Sequence, residues 1–276
     1  MKKVLHKPVL GLVFLIYAAF AVIIILPLAW MVMTGFKTNQ ELFLSPFALP
    51  REWKWINYAN AWKSGIGTYL KNSFLVTAVS TVISTLLSCL AAYPLSRFGF
   101  KAKRLCVYII MGGLMLAPQS SVISLYKMVK WVDLLDTQLA LEIIDAAFRI
   151  PFAIFLIMTF YKGISYSLDE SAYIDGAKTG QIFWRIIVPL SKPIIATCVI
   201  ISFRSVWNEL MFANVILQST SKKTVPLGLL NMQGMTTTNW TVLIAGTVIA
   251  SIPLIAAFLF FQKQFVRGMT AGSVKG

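Results

Sequence analysis

Histidine and cysteine are scarce in this sequence. The one histidine, His6, lies in a basic N-terminal segment, and the three cysteines, Cys89, Cys106 and Cys198, stand alone in or beside apolar runs. With no CxxC pair, neither a zinc site nor a disulfide framework is indicated. With the only histidine near the chain start, no catalytic triad or metal-ligand cluster can be drawn from the usual groups, so no catalytic or metal residue is assigned. Acidic residues are also few: 10 Asp and Glu stand against 25 Lys and Arg, for a formal net charge of +15. That excess does not form one basic face, as a nucleic-acid binder would require. It is parcelled out between apolar runs, so nucleic acid is not expected as a partner.

What is abundant is apolar sequence. The chain of 276 residues is 58% hydrophobic, with a mean hydropathy of +0.75. A bilayer core of about 30 Å takes roughly 20 apolar residues per helix. In lipid the backbone must satisfy its own hydrogen bonds, so such runs are helices. The pattern predicts an all-α polytopic membrane protein with six transmembrane helices. They cover about Val9 to Met33, Tyr69 to Leu95, Leu105 to Met128, Leu139 to Tyr161, Ile194 to Leu217 and Thr241 to Gln262. The first is too long for the apolar stretch of a signal peptide and no good cleavage site follows, so it is expected to stay. This divides the chain into an N-terminal span with its outer loop at 1–68 and a five-helix core at 69–276. Pro27, Pro118, Pro151 and Pro253 fall inside spans and are expected to interrupt them.

Lys and Arg set the orientation. Lys2, Lys3 and Lys7, then Arg97, Lys101, Lys103 and Arg104, then Lys162, Lys178, Arg185 and Lys192, then Lys263, Arg267 and Lys275 all fall on one side of a six-span chain. Both termini are therefore expected in the cytoplasm. The first outer loop carries Trp53, Trp55 and Trp62, as an interfacial segment would.

The loop at 161–193 carries the most information. Ser167 and Glu170 have capping-box spacing, which predicts a helix starting there. Ala172, Gly176 and Gly180 recur at every fourth position, giving a face nearly free of side chains, with Gly180 expected to end the helix. A second short helix would carry Ile182, Phe183, Ile186 and Ile187 on one side and stop at Pro189 and Pro193. This pattern fits a docking element for another protein, and equally an amphipathic helix on the membrane surface. Gly176-Ala177-Lys178-Thr179-Gly180 is not a phosphate loop, because Ala177 precedes the lysine.

Within the spans, Glu142, Asp145 and Arg149 cluster in the fourth, with Asp145 and Arg149 four residues apart. Arg204, Asn208 and Glu209 sit in the fifth, and Gln119 stands beside Pro118 in the third. Ionisable groups at membrane depth are costly and either tie helices together or mark a pathway. Gln119, Asn208 and Glu209 are the pathway candidates. A secondary transporter would show inverted repeats and an intramembrane acidic ion site; no repeat is visible, and Glu209 is the isolated candidate.

The 161–193 loop resembles the EAA loop of binding-protein-dependent ABC importer permeases. Glu170, Ala172, Gly176, Ile186 and Pro189 fall at the positions of that pattern, with Ser171 for the first Ala and Val188 for the Leu. Asp175-Gly176-Ala177, Ile182-Phe183-Trp184-Arg185-Ile186, Trp207-Asn208-Glu209 and the tail from Phe265 to Gly276 resemble the carbohydrate permeases of the MalG type. The resemblance implies a type I importer permease fold, working as a heterodimer in a bacterial cytoplasmic membrane beside a second homologous permease. An ABC ATPase dimer would bind ATP and Mg, this chain binding no cofactor, and an extracellular or periplasmic binding protein would deliver a di- or oligosaccharide. It also implies roles: Glu170 as charged anchor, Ala172 and Gly176 as close-contact face, and Asp175 tying the turn, with Pro189 closing the loop. The cytoplasmic tail at 263–276, with Val274, Lys275 and Gly276, would reach the ATPase.

Overall fold

The computed structural model of the protein describes residues 7–234 and 238–271. Among them the regular structure is helical. In chain order the helices are α1 (Lys7–Thr34), α2 (Asn39–Leu44), α3 (Ile56–Ala61), α4 (Gly67–Arg97), α5 (Lys103–Met115), α6 (Val122–Trp131) and α7 (Gln138–Gly163). They continue with α8 (Tyr166–Ile174), α9 (Thr179–Ile182), α10 (Val188–Leu190), α11 (Lys192–Trp207), α12 (Met211–Ile216), α13 (Val225–Asn231) and α14 (Trp240–Ala271). Four stretches are long and apolar enough to cross a membrane: Gly11–Thr34, Ile56–Arg97, Gln138–Gly163 and Trp240–Phe260. The number rises to six if each of two bent pairs is one span.

One of those bends falls at Pro118, where the third span is expected to be interrupted. The third is broken, with Lys103–Met115 and Pro118–Trp131 meeting at 93°. Leu116 and Ala117 are extended and Pro118 opens a 3-10 turn, because proline cannot supply the N–H that would continue α5. The fifth stops early. α11 has 16 residues, about 24 Å, and the chain breaks at Asn208 to Leu210 before α12. Pro27, Pro151 and Pro253, expected to interrupt their spans, lie inside continuous helices.

The chain forms two compact units. One comprises Met1–Gly67 and Leu229–Ser251. Here the loop after α1 is folded around Phe36, whose ring packs at 5.1 Å from Trp53 and 4.7 Å from both Trp55 and Tyr58. Lys37 is buried, and its ammonium donates to the carbonyls of Ser45 and Pro46 at 3.1 and 2.8 Å. Thr38 and Glu41 form a capping box on α2, and these bonds hold the Glu41 carboxyl below its ordinary range.

The other unit comprises Thr68–Gly228 and Ile252–Gly276. In it α7 packs against α5 and α11 and is hydrogen-bonded to α4. The buried face of α4 reads Ser73, Thr77, Ser80, Thr81, Ser84 and Ser88. Small side chains at this spacing let two helices approach closely, and hydroxyls supply the bonds across. Ser80 donates to the carbonyl of Glu142 at 3.1 Å, and Ser88 to that of Ile150 at 3.3 Å. Two apolar clusters flank this contact. One joins α6, α7, α12 and α13 around Leu141, Phe212 and Ile216. The other joins α4 and α7 to the 161–193 loop around Tyr93, Ile157, Tyr161, Ile182 and Ile187.

Candidate coupling site

The loop leaves α7 at Gly163. Ile164 closes that helix, its N–H donating to the Tyr161 carbonyl at 3.2 Å. α8 then begins earlier than the Ser167–Glu170 spacing suggests. Its N-cap is Ser165, whose hydroxyl oxygen accepts from the Ser167 N–H at 3.3 Å. It also ends earlier, because Gly176 and not Gly180 terminates it. The Gly176 N–H donates to the Tyr173 carbonyl at 3.0 Å and the Ala177 N–H to the Ala172 carbonyl at 2.9 Å. That paired arrangement places a left-handed residue just past the helix, and Gly176 has φ +78°. A methyl group on Gly176 would touch nothing within 4 Å. Glycine is required here by the backbone, not by crowding.

The expected three-residue small face therefore does not run along one helix. Ala172 turns inward and joins the cluster of Tyr93 and Ile157. Gly180 sits in α9. Outward from α8 stand Glu170, Ser171 and Ile174, the last 86% exposed.

α9 starts with the Lys178 N–H donating to Gln181 Oε1 at 2.8 Å. Thr179 and Tyr173 hydroxyls bond at 3.1 Å and tie the two short helices. A π turn over Phe183–Ile187 carries the chain into α10. It drives Ile182, Phe183 and Ile187 into the core, with Phe183 at 5.1 Å from the Tyr93 ring. Fully burying each such side chain stabilises the loop by about 1.5–3 kcal/mol. Trp184 and Arg185 face out. Pro189 is exposed in α10, and Thr179–Leu190 meets α11 at 74°. The outer surface holds a depression of about 300 Å³ lined by Asp175, Gly176, Ala177, Gln181, Ile182, Arg185 and Ile186.

Beneath α8 lies an ion pair that the spacing of the sequence did not single out. Arg97 at the end of α4 places Nε 2.9 Å from Asp169 Oδ2, both side chains nearly sealed from solvent. Burial raises the Asp169 carboxyl from its ordinary value, and the Arg97 charge opposes that rise. Arg97 reads as one more basic residue of a positive loop, and Asp169 as a helix-dipole acid. Their pairing depends on how α4 and α8 meet.

The pathway candidates occupy the chain breaks. Gln119 is exposed on the 3-10 turn at the 93° bend. Asn208 is exposed at the end of α11 and donates to the Arg204 carbonyl at 2.8 Å. Glu209 accepts from the N–H groups of Phe212 and Ala213 at 2.7 and 2.9 Å, capping α12. Asp145 pairs with Arg149 at 3.5 Å, and both lie within electrostatic reach of Glu209. Val274, Lys275 and Gly276 lie outside the described residues.

Known proteins resemble the chain throughout. It is 43% identical over 250 residues to a probable ABC transporter permease, YurM of Bacillus subtilis, covering 91% of this chain and 83% of that one. It is 32% identical to the trehalose/maltose transport system permease MalG of Thermococcus litoralis, covering 99% of this chain and 100% of that one. Its fold matches a chain of a bacterial ABC transporter that imports alginate, with a TM-score of 0.81 at 23% identity over 94% of this chain and 97% of that chain. The family model for the binding-protein-dependent transport system inner membrane component matches residues 1–271. By that match the chain belongs to the family of inner membrane components of binding-protein-dependent transport systems.

Proposed function

We propose that this chain is one membrane half of an ATP-driven importer for a di- or oligosaccharide. A second homologous permease completes the pathway, a separate ATPase dimer binds ATP and Mg, and an extracellular or periplasmic binding protein delivers the sugar. The observation that carries this reading is α8. It is a short helix outside the apolar spans, seated on the core through Ala172 and Asp169, with Glu170, Ser171 and Ile174 turned outward. The substrate class follows the named relatives, among them permeases for trehalose/maltose, for melibiose, raffinose and stachyose and for diacetylchitobiose.

In this reading Glu170, Asp175 and Gly176 meet the ATPase, Ala172 seats α8 from within, and Pro189 sets the turn into α11. The tail residues Val274, Lys275 and Gly276 reach the same ATPase. The shared side of the basic loops supports cytoplasmic termini. Gln119 and Asn208 line the pathway, and Glu209 shapes it. Irregular backbone at membrane depth is tolerated where it is buried in protein or lines a cavity, and both broken segments supply such backbone.

A mild-detergent pull-down from the native membrane, with mass spectrometry of every copurifying chain, tests the assembly. A second permease and an ABC ATPase are the expected partners. Uptake of trehalose, maltose, melibiose, raffinose and diacetylchitobiose into vesicles then tests the substrate class. Uptake that persists without ATP and stops when the ion gradient collapses would overturn the reading.

A further inference from the structure

Arg97 does more than pair with Asp169. Its Nη1 donates to the Ile164 carbonyl at 3.0 Å, and its guanidinium lies 4.5 Å from the centroid of the Tyr166 ring. Tyr166 returns a bond in the other direction, its hydroxyl donating to the Ser96 carbonyl at 2.9 Å. The last two residues of α4 thus hold the start, the first turn and the middle of the α8 segment. The Arg97 and Asp169 side chains are 3% and 9% exposed.

A buried ion pair is a poor device for stability alone, since well-packed apolar residues of similar volume do as well or better. Its distinctive property is mutual dependence: Arg97 Nε and Nη2 and both Asp169 oxygens are buried without a hydrogen-bond partner, so each charge is compensated by the other and losing one strands its partner. α8 has few other attachments. Of its nine residues only Asp169 and Ala172 are buried. α4 leads away from this node for 31 residues, about 46 Å at 1.5 Å per residue. Near its far end the Asn72 amide donates to the carbonyls of Ser221 and Lys223 at 2.8 and 2.9 Å. The neighbouring Ser73 hydroxyl accepts from the Val225 N–H at 2.8 Å. One helix therefore bonds the coupling loop at one end and the segment 221–225 at the other.

We propose that Arg97 and Asp169 are a positioning pair that makes α8 and α4 move as one body, delivering ATPase motion at α8 to the segment 221–225. The proposal rests on the reading of α8 as the ATPase contact. A rigid element biased at one end carries displacement to the other without any contact between the two sites.

The test uses the complete complex copurified from its native membrane and placed in lipid nanodiscs. Peptide-level hydrogen exchange is followed with and without Mg-ATP plus orthovanadate, which needs neither sugar nor binding protein. In the wild type, nucleotide changes exchange by at least about threefold over residues 166–174, and also over 92–98 and 221–225. In Asp169→Asn the change over 166–174 persists while that over 92–98 and 221–225 is lost. The exchange Arg97→Asp with Asp169→Arg restores part of it. A response at 221–225 that is undiminished in Asp169→Asn overturns the proposal. Should that variant not assemble, Arg97→Lys decides. It keeps the charge and loses the planar fork and its stacking on Tyr166, so a weakened response at 221–225 alone is expected, and an unchanged one overturns the proposal. A wild-type complex whose 166–174 segment ignores nucleotide refutes the ATPase-contact reading instead.

Discussion

Asp136 and Ser219 are joined twice: one carboxylate oxygen accepts from the Ser219 N–H at 2.9 Å, and the other from its hydroxyl at 2.5 Å. The first oxygen also accepts from the Gln218 N–H at 2.9 Å. Lys222 adds an ammonium at 3.2 Å from the second. These bonds lower the carboxyl well below the ordinary aspartate range, with the Ser219 hydroxyl as the largest cause.

The resulting stability is fully present above the unfolded-state pKa, near 4, and is lost as pH falls through the depressed folded value. Asp136 has φ +56°, a backbone that Asn tolerates as well as Asp. Asp136→Asn therefore removes the charge and one acceptor oxygen without straining the backbone. Thermal unfolding in detergent should show it less stable by roughly 1–2 kcal/mol at neutral pH. The difference should shrink below about pH 4. A gap that stays constant into acid would mean the charge is not what holds the turn.

Gly176 and Ser171 separate two effects on the coupling loop. Gly176→Ala adds a methyl in open space at a left-handed backbone position, so its cost is conformational, about 1–2 kcal/mol. Gly176→Trp would mix that strain with any block to docking. Ser171→Trp is the cleaner probe, because Ser171 is exposed on an ordinary helical turn. The protein should insert and unfold like the wild type while the ATPase no longer copurifies. Normal copurification would remove α8 from the contact.

The spans and the loop were legible because each is written locally. Long apolar runs give α1, α4, α7 and α14, and the glycine at 176 marks a helix end whichever helix it belongs to. Helix boundaries inside the loop were not. Ser165 and Ser167 are both acceptable caps, and the choice falls to Ser165 where α8 settles on the core through Ala172 and Asp169. The Ala172, Gly176 and Gly180 periodicity misled because φ +78° at Gly176 resets the register. Arg97 was invisible for a different reason. Its partner lies 72 positions away, and a basic residue after a span already has an explanation in membrane orientation. Pro118 marks the break at 116–118, whereas the one at 208–210 carries no proline or glycine, and its Asn208 and Glu209 read equally as polar groups within a continuous span.

Gly228 faces the buried ring of Tyr69, and a methyl on it would lie 2.2 Å from Tyr69 Cδ2. That is backbone packed on an aromatic face, a contact only glycine permits. Gly228→Ala should destabilise the protein by about 1–3 kcal/mol through overpacking. Combined with Tyr69→Ala, its added cost should nearly vanish, since the ring it strikes is gone. Additive losses in a double-mutant cycle would place the strain elsewhere.

Asn208 and Glu209 are neighbours at the break before α12, yet they should respond to substitution in opposite ways. Both oxygens of Glu209 are engaged by N–H groups of α12. Glu209→Ala removes both bonds and should cost about 1.5–3 kcal/mol, read as a lower melting temperature. Asn208 is exposed and bonds only the Arg204 carbonyl one turn behind it, so Asn208→Ala should change stability by less than about 0.5 kcal/mol. If Asn208 faces the sugar, losing its amide instead weakens a bond to the ligand. The apparent KM for uptake should rise about tenfold, the equivalent of roughly 1.4 kcal/mol. Should Asn208→Ala transport normally while Glu209→Ala raises KM with its melting temperature intact, the two assignments must be exchanged, and the carboxylate rather than the amide lines the pathway.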